Sequence, residues 1–163
     1  MSHYLLVKPH HFVDIMSSFA HGFIELKSHP YQHSLHRVSL QILEDRNQML
    51  RIELGADAIC KTCILNKDGL CTDLIDTSFR PQAPSSKRAY NLLLDERWCG
   101  RLEMQCNELL TAYDLCKRLL KNADNLEEIY REVPADYVNR KEQTLRSGLQ
   151  HYLNKTIRWT YEL

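Results

Sequence analysis

The chain has no apolar run near the roughly 20 residues that a bilayer-spanning helix needs, which argues against a membrane protein. It has no surplus of charge: 21 basic residues face 21 acidic ones. Without a bulk field of one sign, neither nucleic acid nor an anionic membrane surface is an expected partner. Local pairs such as Lys117-Arg118 and Arg140-Lys141 read as solvated helix faces. There is no glycine-rich phosphate loop, no His-Glu-x-x-His run and no nucleophile motif. Internal repeats and low-complexity tracts are missing as well. The opening Met1 to Pro9 lacks the charged start and apolar stretch of a signal peptide. A cytoplasmic, reducing setting is therefore the expectation, and there a Cys-x-x-Cys pair favours metal or redox chemistry over a structural disulfide.

What is present is a compact group of thiols. Cys60-Lys-Thr-Cys63 is followed by Gly69-Leu-Cys71, and the connecting segment carries an Asp68-Gly69 turn that returns the third sulfur towards the first two. Three thiolates are one ligand short of a closed tetrahedral site. A thioredoxin-type dithiol needs a strand running straight into a helix, and it leaves Cys71 unexplained. The other three cysteines read differently. Cys99, Leu102, Cys106, Leu109, Tyr113, Cys116 and Leu120 follow at alternating steps of 3 and 4. That spacing predicts an apolar helical stripe in which cysteine packs as a small hydrophobe.

The 163 residues are expected to form one domain, mainly α, with one irregular cysteine-bearing metal loop. Residues 1–77 would be a metal-bearing half, 78–86 a linker-like loop with Pro81 and Pro84, and 87–163 a helical half. Pro9 suits the first position of a helix, whose apolar face carries Phe12, Ile15, Met16, Phe19 and Phe23, with Gly22 at its end. A second stripe runs through Leu35, Val38, Ile42 and Met49. Leu50 to Leu54 alternates, as either a short strand or an extended entry to the cysteine loop. Ser85 or Ser86 would cap a helix through Tyr90 and Leu94, and Pro134 would open a last helix through Val138, Leu149 and Tyr152.

Seven of the eight histidines lie in the first 36 residues, upstream of the thiols. His10 and His11 stand at the start of the first helix, about 100° apart around its axis. His11 borders the Phe12 face and is expected to point inward. His10 shares its side with Asp14 and His21 and is expected to be the more exposed. Asp14 is a candidate to orient an imidazole. His33 and His36 form a second, weaker nitrogen pair. The competing reading is a solvent-facing or ordinarily partnered histidine.

The run Lys8-Pro-His-His-Phe-Val-Asp-Ile, with Gly-Ala-Asp57-Ala-Ile-Cys60-Lys-Thr-Cys63 and Gly69-Leu-Cys71 further on, resembles the domain-of-unknown-function family 1284 of small bacterial and archaeal proteins. The resemblance covers about residues 7 to 75. It implies a shared constellation of His10, His11, Cys60, Cys63 and Cys71 that binds an iron–sulfur cluster. It implies no activity, because the family has no established one. The chain is longer than is usual in that family and has no second cysteine cluster near its C-terminus.

Ligand chemistry by itself leans towards zinc, since three thiolates and one imidazole make a Cys3His tetrahedron; the iron–sulfur reading rests on the resemblance. Three functions stay open: a metal-bound protein with a structural, redox or sensory site and an unidentified protein partner; a small metalloenzyme using His10, Asp14 or His33 as general base; and a helical interaction module stapled by its metal.

Overall fold

The computed structural model describes residues 3–154 and 158–161. In chain order the elements are β1 (Tyr4–Val7), α1 (Pro9–Ser17), β2 (Phe23–Leu26), α2 (Leu35–Glu44), β3 (Met49–Ile52), a single 3-10 turn at Cys60–Thr62, β4 (Asn66–Lys67), β5 (Leu70–Cys71), α3 (Lys87–Leu102), β6 (Leu109–Thr111), α4 (Ala112–Lys121), a second 3-10 turn at Leu126–Glu128, α5 (Ala135–Leu153) and β7 (Arg158–Tyr161).

The expectation of a mainly helical chain is overturned. The chain is 46% helix and 14% strand, an α/β mixture built on a three-stranded mixed sheet. β1 and β3 pair in parallel, with Tyr4 opposite Met49 and Val7 opposite Ile52. The crossover between them carries α1, β2 and α2. β6 closes the sheet antiparallel to β3, with Leu50 opposite Leu110. β2 and β7 pair in parallel as a separate ribbon. Strands this short show at most two alternations of polarity, too few for periodicity to separate them from helix.

The 3–4 stripe from Cys99 to Leu120 is where that ambiguity misleads. α3 stops at Leu102 because Glu103 turns left-handed, with φ 51°. Asn107 is left-handed as well. Leu109 is exposed while Leu110 is buried, the alternation of a strand. Cys106 therefore lies exposed in the connection, not in a helical core, whereas Cys99 and Cys116 are buried as the stripe predicts.

α1 does start at Pro9, and its buried face carries Phe12, Val13, Ile15 and Met16. It ends at Ser17, and Phe23 belongs to β2. α5 crosses α1 at Gly148, whose α-carbon faces the Met16 carbonyl so closely that a β-carbon would collide with it. Ser86 caps α3 by accepting from the Ala89 amide at 3.2 Å. One contiguous buried cluster runs from Val7 to Tyr152 and draws on both sides of the 78–86 segment, which itself contributes Ala83. Burying each of Phe12, Ile15, Met16 and Trp98 contributes about 1.5–3 kcal/mol. Among the described residues, no helix is long and apolar enough to cross a membrane.

Candidate metal centre

The N-terminus of α1 is where the chain concentrates its buried polar chemistry. An α-helix begins with backbone amides that have no partner within the helix. Here two acids from distant parts of the chain serve that end. Asp95 of α3 accepts from the His10 amide at 2.8 Å, and its two oxygens lie 2.8 and 2.9 Å from His10 Nδ1. Asp57 accepts from the Lys8 amide at 2.9 Å and from His11 Nδ1 at 2.7 Å. Both acids are buried, Asp95 at 0% and Asp57 at 2% exposure. The positive end of the helix dipole favours negative charge there. Each imidazole thus has Nδ1 fixed by a carboxylate, the arrangement that orients a histidine and leaves Nε2 as the free lone pair.

Asp57 also shapes the thiol loop. Its second oxygen accepts from the Ile59 and Cys60 amides, both at 3.1 Å. One carboxylate therefore holds α1, His11 and the turn that begins at Cys60. The Cys63 amide donates to the Cys60 carbonyl at 3.0 Å, closing that turn. As the Asp-Gly pair predicts, Asp68 and Gly69 both adopt positive φ, 51° and 84°, and join β4 to β5. The hairpin sets Cys71 opposite Asn66, whose side-chain amide donates to the Cys60 carbonyl at 3.1 Å.

Cys60, Cys63 and Cys71 all line the same two adjoining cavities, of about 110 and 70 Å3. His11 and His33 line the smaller one with them, and Lys8 lines both. His33 Nδ1 and Asn66 Oδ1 are buried without a hydrogen-bond partner, one on each of these cavities. His11, Asp57 and Cys60 each place a ligand atom within 4.8 Å of the others, a candidate metal-binding triad. Asp57 is the weakest ligand of the three. Its two oxygens already accept four hydrogen bonds, which uses the lone pairs of a carboxylate.

Burial and the nearby Asp57 charge push the Cys60 thiol up to about 11. A thiol so disposed stays protonated unless a cation displaces the proton. Burial also raises the affinity of the Asp57 carboxyl for its proton, but the His11 charge, its hydrogen bond and the loop amides outweigh that and hold Asp57 well below the usual carboxylate range. Burial, then the neighbouring His11 charge, lowers the His10 pKa against the opposing pull of Asp95. Burial, then the charge of the neighbouring His29, lowers that of His33, favouring the neutral imidazole that binds metals.

Of the residues singled out from the sequence, the structure brings Cys60, Cys63, Cys71 and His11 to one cavity. His10 goes elsewhere. It is the more buried of the pair, at 6% exposure, and lines a separate cavity between α1, α3 and α5. The expectation that His10 is exposed and His11 inward is thus reversed in burial. Asp14 orients neither imidazole; it pairs with Lys141 at 3.4 Å. His36 Nδ1 is buried and unpartnered, away from the thiol cavities. Asp95 was not singled out, although an acid beside Leu94 and Trp98 on the buried face of α3 is itself a request for a partner. No protein-family model, no curated protein and no solved structure matches the chain.

Proposed function

We propose that the chain is a metal-binding protein whose centre is held by Cys60, Cys63, Cys71 and His11, with His33 as a further nitrogen donor and Asp57 as the carboxylate that orients His11. The observation that carries this reading is the convergence of three thiols and His11 on one cavity beside an unpartnered imidazole nitrogen. His10 lies outside the ligand set, because its cavity is not lined by any thiol.

The centre is an iron–sulfur cluster serving a redox, sensory or structural role. What supports that choice over zinc is the resemblance of the two segments to family 1284. Cys3His zinc remains the second reading, favoured by the closeness of His11 to Cys60. An open coordination position would make a small metalloenzyme of the same site.

Anaerobic purification followed by an absorption spectrum and metal analysis tests the choice. The expected product is brown, absorbs broadly near ~400 nm and bleaches with dithionite. Colourless protein with zinc rules out the cluster in favour of the second reading, and the absence of both metals defeats the site. His11→Ala should lower metal retention more than His36→Ala does.

A further inference from the structure

The cavity that His10 lines has no part in the metal reading. It measures about 200 Å3 and lies between α1, α3, α5 and the segment before α3. Three cationic side chains converge on it from three directions: Arg80 from that segment, Lys87 from α3 and Lys141 from α5. Two of them have acid partners. Lys87 pairs with Asp73 at 2.8 Å, and Lys141 with Asp14, the one carboxylate that lines this cavity, at 3.4 Å. Arg80 does not. Its Nε donates to the Asp76 carbonyl at 2.8 Å, and its guanidinium lies over the Phe79 and Tyr90 rings. The Asp76 carboxylate turns instead to the Ser78 amide. Among the described residues, no carboxylate lies within ion-pairing distance of Arg80; its side chain bonds the Tyr90 hydroxyl, and the Asp76 charge acts on it from further off. His10, held through Nδ1 by Asp95, lines the same cavity.

We infer that this cavity is a binding site for a small oxyanion-bearing molecule, gripped through its phosphate or carboxylate group by Arg80 and Lys141 beside His10. A guanidinium fork offers two parallel N–H donors to such a group, and an aromatic face behind it fixes the plane of the fork. The volume suits a small metabolite and excludes a polymer. Lys87 and Asn91 also line the smaller thiol cavity, so the two cavities are neighbours. The anion site itself does not depend on the metal.

The test is titration of the purified full chain at low ionic strength, by calorimetry, with inorganic phosphate in one arm and succinate in the other. Saturable binding of one anion per chain is expected in at least one arm, and the arm that binds identifies the oxyanion. Arg80→Gln should weaken it about tenfold or more. Lys141→Gln should weaken it as well, while Lys121→Gln, an exposed cation on α4, leaves it unchanged. Circular dichroism checks that each variant folds. Cys63→Ser should leave anion binding intact even where metal is lost, so the two readings fail separately. Absence of saturable binding in both arms overturns the inference. So does an Arg80→Gln affinity equal to that of Lys121→Gln.

Discussion

Asp57 is the residue on which the local geometry turns, since it joins the helix start, His11 and the cysteine turn through four hydrogen bonds. Asp57→Ala strands three backbone amides and an imidazole in a buried place, and should destabilise the fold by about 3–5 kcal/mol. Asp57→Asn keeps part of the network and should cost less. Urea unfolding of the two variants measures the order; equal stability of Asp57→Ala and the parent would contradict it. His10 gives a pH prediction. Its folded pKa lies below the 6.5 of a free imidazole, so the unfolded chain binds the extra proton first. Its contribution to stability is therefore full above about pH 6.5 and is lost as pH falls through the lower folded value. An NMR titration of the His10 ring should show an apparent pKa under 6.5, and a value at or above it would contradict the burial argument. The thiols and His11 were legible as residue types because ligands have a chemistry of their own. The acids beneath them were not. Asp57 and Asp95 look in the sequence like any surface acid until tertiary contact buries them, and only the placement of Asp95 between Leu94 and Trp98 hints otherwise.

At the scale of elements, the C-terminal end of α1 is held in place by α5 crossing behind it. Gly148 permits that crossing, because a β-carbon there meets the Met16 carbonyl. Gly148→Ala should force the helices apart and destabilise by about 1–3 kcal/mol or more, even though alanine is the better helix former. Thermal unfolding decides the sign; a stabilised variant would show that the close approach is not real. Helices with long stripes, α1 and α5, could be read from spacing. The β4–β5 hairpin could be read from Asp68-Gly69. The mixed sheet could not: β1, β3 and β6 have four, four and three residues. Their pairing partners are 45 or more positions apart, which local patterning does not encode. The apparent single helix through Cys106 failed for a related reason, since a 3–4 spacing survives by chance across the left-handed Glu103 and a three-residue strand.

For the whole molecule, the thiol hairpin is anchored to a core that forms on both sides of it. Asp57 ties it to α1, and the Lys87–Asp73 pair and the Lys87 amide bond to the Asp73 carbonyl tie its exit to α3. A metal bound there would thus close a loop that already has a frame. That separates this site from small zinc domains whose folding free energy is mostly metal binding. It also means that a ligand can be removed while the fold survives. The most direct measurement is the metal content of anaerobically purified protein, comparing the parent with Cys63→Ser and checking both by circular dichroism. The parent should carry one iron centre with sulfide per chain, and Cys63→Ser should lose it while keeping its helical signal. A parent that binds neither iron nor zinc, or a folded Cys63→Ser that keeps its full metal, would contradict the account.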